Sequence, residues 1–172
     1  TFSAPVAALR APGDEGRWYV VELKQQVQTF LESDPEGTLT PALEVAEIAV
    51  TTLFEWGLLA MALHPNHPTD PRAFLYYTID DGDTALSSID VLEDGTLDSA
   101  TLTELIVIDQ RDGVLSHVGA HIAFHPTDGS LWLALGDGGD AGEPDVDHAA
   151  QDTTDLRGSI LRIDIDRTAD SV

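Results

Sequence analysis

The chain has 172 residues, with 31 Asp and Glu against 8 Lys and Arg, a formal charge of −23, 42% apolar residues and no cysteine. That apolar content fills a folded core, whereas a surface this negative repels nucleic-acid phosphates and anionic lipid headgroups. Without thiols there are no disulfide frameworks, thiolate metal centres, iron–sulfur clusters or cysteine nucleophiles, and no stretch reaches the ~18–20 apolar residues of a membrane helix.

In chain order, the apolar runs are short, rich in β-branched and aromatic residues, and separated by Gly, Pro and Asp turns, which is an all-β pattern. Strands are predicted at Trp18–Glu22, Val27–Leu31, Leu58–Leu63, Phe74–Ile79, Ser87–Leu92, Glu104–Ile108, His121–Phe124, Leu131–Leu135 and Ile160–Ile165. Turn signals lie between them, among them Ala11-Pro12-Gly13-Asp14, Glu93-Asp94-Gly95 and Thr127-Asp128-Gly129. The segment Pro41–Leu63 has helical composition, but Val45, Ile48, Val50, Thr51 and Thr52 crowd its centre with β-branched residues. The break at Glu55-Trp56-Gly57 then divides it into two pieces of strand length.

Two stretches repeat one another. GLLAMALHP followed by AFLYYT (57–78) matches GAHIAFHP followed by SLWLALG (119–136). In each, an apolar strand ends in His-Pro, at His64-Pro65 and His125-Pro126, and an aromatic-bearing strand returns. Hairpins recurring at such a period predict blades of antiparallel sheet around an axis, a β-propeller. A chain of this length supplies about three blades, fewer than the ~4–8 that close a ring.

Chemistry concentrates between His117 and Asp147. His117 stands between a loop and a strand, where a neutral imidazole takes a proton from a substrate hydroxyl; a surface or core-capping histidine is the alternative. His121, four residues on, and His148 add nitrogen donors in a spacing that matches no zinc motif. Five carboxylates follow in 136–147, and Asp137, Asp140 and Glu143 are the candidate oxygen ligands for Ca²⁺. The competing and preferred reading is a solvated turn in which Gly138 and Gly139 supply positive φ. Glu55 and Trp56 form either a sugar-contacting pair or a turn with Trp56 in the core. No G-x-S-x-G elbow is present.

Taken in order, FSAPVAALRAPGDEGRWYVVE, EWGLLAMALHPN, FLYYT, IDQ, HVGAHIAFHP, LWLALGDGG and GSILRIDID span Phe2 to Asp166. This series resembles the soluble pyrroloquinoline-quinone (PQQ)-dependent glucose/sorbosone dehydrogenases, the aldose sugar dehydrogenases among them. The resemblance implies a six-bladed β-propeller of which residues 1–172 are the N-terminal portion, located in the periplasm or outside the cell. It implies oxidation of a sugar or related alcohol or aldehyde hydrate, with hydride passing to PQQ beside Ca²⁺, and His117 as the base. It also places Glu55 near a glutamine of the family and so at the substrate. The family's H-N-G-G-H-like motif reads His117-Val118-Gly119-Ala120-His121 here, and Ser116 replaces an acidic residue found in some members. By the same resemblance, most cofactor-binding residues, namely the basic quinone contacts and the main Ca²⁺ ligands, belong to later blades and so lie beyond Val172. The alternative function is a non-catalytic propeller module for protein or carbohydrate binding, completed by further blades or by self-association.

Overall fold

The structure, a computed structural model, describes residues 1–166 apart from 15, 25, 45, 47, 49, 80, 81, 114 and 140–146. Its strands are β1 (Pro5–Arg10), β2 (Arg17–Glu22), β3 (Gln26–Leu31), β4 (Thr40–Glu44), β5 (Leu58–Leu63), β6 (Arg72–Thr78), β7 (Thr84–Val91), β8 (Leu97–Ile108), β9 (Gly119–Phe124), β10 (Leu131–Leu135) and β11 (Ile160–Ile163). They form three meandering antiparallel sheets, β1-β2-β3-β4, β5-β6-β7-β8 and β9-β10-β11. The only helical element long enough to be assigned among the described residues is one 3-10 turn, Ala149–Gln151, and no helix is long and apolar enough to cross a membrane.

The sheets stack face to face as blades. Between the first and second lies a core of Tyr19, Val21, Val27 and Leu43 against Leu58, Met61, Leu75 and Ile89. Between the second and third, Leu59, Phe74, Tyr76 and Leu86 meet Val118, Ile122, Leu131 and Leu133. This explains the sequence pattern. The middle blade is covered on both faces, so β5 reads LLAMAL and is buried at every position, whereas β10 alternates buried Leu131, Leu133 and Leu135 with exposed Trp132. The first strands of the three blades, β1, β5 and β9, line one apolar channel of about 320 Å³. Sheets packed radially about such a channel are propeller blades.

The repeat seen in the sequence is the β5–β6 hairpin followed by the β9–β10 hairpin, in equivalent places of successive blades. Its two His-Pro corners face one end of the stack. His64 is buried, accepts the Asn66 N–H at Nδ1 (3.2 Å) and meets the Phe124 ring edge-on at 5.4 Å. His125 stacks on Trp132. The opposite ends of β5 and β9 carry Glu55 and His117.

The largest departures from expectation fall on edge strands. β1 is not among the strands the sequence predicts, and β4 is a five-residue strand in place of a longer piece beginning at Pro41. Both are edge strands and both contain a proline, which an edge tolerates because one side of its ladder is unpaired. β8 begins seven residues before Glu104, because Asp98, Ser99 and Thr101 sit on an outer strand with register shifts against β7. There the Thr101 hydroxyl accepts the Asp90 N–H at 2.8 Å.

Candidate functional site

His117 belongs to the loop that enters β9, and its backbone lies in the left-handed region at φ 56°. Non-glycine residues adopt that conformation rarely, and then where the surroundings enforce it. Here the surroundings are specific. The main-chain N–H of His117 donates to Glu55 Oε2 at 3.0 Å, and its carbonyl accepts the Gly138 N–H at 3.0 Å. Glu55 is itself fixed by its N–H to the Leu115 carbonyl (3.4 Å) and by the turn in which Trp56 N–H reaches the Leu53 carbonyl at 2.7 Å. A bond between Glu55 and His117 therefore joins the second blade to the third.

The glycine-rich stretch after β10 has a steric reason. A Cβ at Gly136 would run into the carbonyl of His117, and one at Gly119 would lie 2.9 Å from Gly136 N. The two loops approach so closely that neither position admits a side chain. Gly138 turns the chain back at the expected positive φ, 64°, but Gly138 and Gly139 are buried, so the turn is packed rather than solvated.

That turn places Asp137 against the imidazole, with Asp137 Oδ1 3.3 Å from His117 Nδ1. The same oxygen accepts the Gly139 N–H at 2.9 Å, which holds the carboxylate in place. A carboxylate beside Nδ1 favours the tautomer that carries its proton there, in which Nε2 is the proton acceptor. Both side chains keep solvent access, His117 at 41% and Asp137 at 29%, so a substrate can reach them. Sequence reasoning misses this pairing, because spacing groups Asp137 with metal ligands. Its signal is an aspartate flanked by glycines directly after the second strand of a blade.

The remaining candidates lie elsewhere. Asp140 and Glu143 fall outside the described residues, and so does Val172, beyond which the resemblance puts most of the cofactor contacts. His121 is on β9 and lines the channel, and His148 precedes the 3-10 turn. Among the described residues no three His, Asp or Glu side chains gather as a metal site. Trp56 is in the core, 7% exposed and over Gly82, rather than at a sugar. Val118 and Ala120, which break the H-N-G-G-H-like pattern, serve packing: Val118 is 2% exposed and Ala120 lies against the same core.

The cation beside the site is Arg157, whose side chain packs against Gly138, and it is paired with carboxylates of its own. Each described arginine is engaged by carboxylates: Arg10 with Glu32, Arg17 with Asp14, Arg72 with Asp70 and Asp166, Arg111 with Asp147, Arg157 with Asp155 and Asp147, and Arg162 with Asp128. Lys24 is the one described lysine or arginine outside these pairs, so the described residues do not fit the carboxylates of PQQ, which require several cations.

Fold and site together define a β-propeller with an aspartate-oriented histidine at one end of its blades. Residues 4–171 match the Glucose / Sorbosone dehydrogenase family model, and the chain belongs to that family. Among solved structures it is similar to an oxidoreductase assigned as a glucose dehydrogenase from Thermus thermophilus. That match has 30% identity and a TM-score of 0.71, over 94% of this chain and 44% of that one. It is also similar to the PQQ-bound aldose sugar dehydrogenase of Streptomyces coelicolor, at 26% identity and TM-score 0.76, over 95% and 45% respectively. The Hedgehog-interacting proteins of mouse and human are 26% identical over 180 residues, covering 94% of this chain. The chain spans 24% of the length of those curated relatives and less than half of the solved structures.

Proposed function

We propose that the chain is the N-terminal, base-bearing part of a quinoprotein sugar dehydrogenase, acting on an aldose or related alcohol once further blades complete the propeller. The observation that carries this reading is the His117–Asp137 pair at the entry to β9 in a chain of this family. PQQ, when bound beside Ca²⁺, supplies the hydride acceptor, as the PQQ-bound Streptomyces relative suggests. The chain's own residues do the following. His117 Nε2 takes the proton from the sugar hydroxyl, Asp137 holds the ring and balances the imidazolium that forms, and the Gly136–Gly139 turn keeps both in register. Cations for the quinone's carboxylates come from outside this segment, and so do the blades that cover its outer faces, where Val6 is 46% and Ile160 68% exposed. The same reading places the protein in the periplasm or outside the cell.

The test is dye-linked aldose oxidation by the full-length gene product reconstituted with PQQ and Ca²⁺. His117→Ala should lower kcat by about 10²- to 10⁴-fold, and Asp137→Asn by about 10- to 100-fold with little change in KM. Failure of the full-length product to bind PQQ refutes the reading. A second reading, a non-catalytic module for protein or carbohydrate binding, is favoured by one observation: the similarity to Hedgehog-interacting proteins, which are named for a protein partner. Quinone binding separates the two.

A further inference from the structure

We infer that Glu55 is a positioning residue for His117, gripping its main chain from the neighbouring blade, rather than a sugar ligand. The three observations are independent of one another. His117 is held at φ 56°, a conformation that an L-residue leaves readily unless its peptide groups are bonded. Its N–H is bonded to a carboxylate, Glu55 Oε2 at 3.0 Å, from a residue 62 positions earlier. Its carbonyl is bonded on the other side by Gly138 N–H at 3.0 Å and crowded by Gly136. One jaw is the loop entering β5, the other the turn leaving β10, and the histidine backbone lies between them.

The arrangement explains why the carboxylate stands at Glu55. A charged acceptor makes the stronger bond to a peptide N–H, and Glu55 in turn is locked by the Leu53–Trp56 turn, whose indole is buried on Gly82. The orientation of the imidazole is thus set twice, at the ring by Asp137 and at the backbone by Glu55. Movement between the second and third blades is transmitted to the base through the Glu55 bond.

The kinetic consequence rests on the dehydrogenase reading; the backbone grip does not, and the two are tested separately. In the 172-residue chain, amide hydrogen exchange at His117 should speed up by roughly three- to tenfold in Glu55→Ala, the range set by one charge-assisted but solvent-exposed bond. In Glu55→Gln, whose amide Oε1 accepts the same N–H, it should return to within about twofold of the parent. The unfolding midpoint should fall by no more than a few degrees in Glu55→Ala and return to the parent's in Glu55→Gln, because Glu55 is exposed. In the full-length product, Glu55→Ala should lower kcat by about tenfold or more with KM unchanged, and Glu55→Gln should restore it. Equal exchange at His117 in parent and Glu55→Ala overturns the inference. So does a raised KM with kcat retained in both variants, which would make Glu55 a sugar contact. Full activity in His117→Ala would instead defeat His117 as the base, and failure of the full-length product to bind PQQ would defeat the dehydrogenase reading; either leaves the exchange result standing.

Discussion

Gly136→Ala tests the packing logic of the site most directly. Gly136 does not occupy the left-handed region, so alanine carries no backbone strain of its own there. The whole cost is steric. The new Cβ would lie 2.5 Å from the His117 carbonyl carbon and 2.8 Å from Gly119 N, where ordinary contact begins at 3.4 Å. The carbonyl oxygen is met closer still than the carbon, so the 136–139 turn or the His117 loop must retreat by well over 0.9 Å. Such overpacking costs ~1–3 kcal/mol, and the displaced turn loses the Gly138-to-His117 hydrogen bond, a further ~0.5–1.5 kcal/mol. We expect a destabilisation of about 2–4 kcal/mol in urea unfolding with an unchanged m-value, and loss of the His117–Asp137 proximity by NMR. The control is Gly16→Ala. Gly16 is also outside the left-handed region and an added Cβ there would meet nothing within 4 Å, so alanine should be neutral or stabilising by up to ~1 kcal/mol. A Gly136→Ala protein within about 1 kcal/mol of the parent, with His117 resonances unmoved, would refute the close approach.

Three further outcomes are expected. Tyr76 is fully buried, its hydroxyl pushed above the ordinary tyrosine range by desolvation and bonded to the Thr84 hydroxyl at 2.6 Å. Tyr76→Phe should cost ~1–1.5 kcal/mol in chemical denaturation, and no change would mean that the hydroxyl is solvated instead. Asp70 is held below the usual carboxylate range chiefly by its bond to Arg72, Asp155 chiefly by Arg157, and Asp128 chiefly by Ser130. A depressed folded value means stability is present above the unfolded pKa and lost as pH falls through the folded one. The melting temperature should therefore drop below about pH 4, and Asp70→Asn should flatten that drop. Finally, a formal charge of −23 makes the folded chain repel itself, so raising NaCl from ~10 mM to ~500 mM should raise the melting temperature by screening; a fall would place the dominant effect in the ion pairs.

Most strands are legible in the sequence because their information is local. β2, β3, β5, β6, β9 and β10 are runs whose residues alone specify a pleated, half- or fully buried surface, and the repeated His-Pro hairpins disclose the blade period. β1 is hidden, and β4 is legible only as the start of a longer piece, because edge strands are specified by a neighbour's ladder more than by their own composition. His117 is legible as a candidate base from its neighbourhood. Asp137 is legible as a carboxylate and not as that histidine's partner, because their proximity depends on the β9–β10 hairpin and on two glycine contacts that only the folded backbone brings together.

The same reasoning bears on the broken motif. Loss of polar side chains at Val118 and Ala120 would weaken a base that depends on its immediate sequence neighbours for orientation. His117 does not depend on them. Its ring has Asp137 Oδ1 3.3 Å from Nδ1, and its peptide is bonded by Glu55 and Gly138, all supplied by other loops, while Val118 is free to fill the seam between the second and third blades. Substituting Val118→Asn should accordingly damage stability, by about 2–3 kcal/mol for a polar group placed in that seam, more than it improves the orientation of the base.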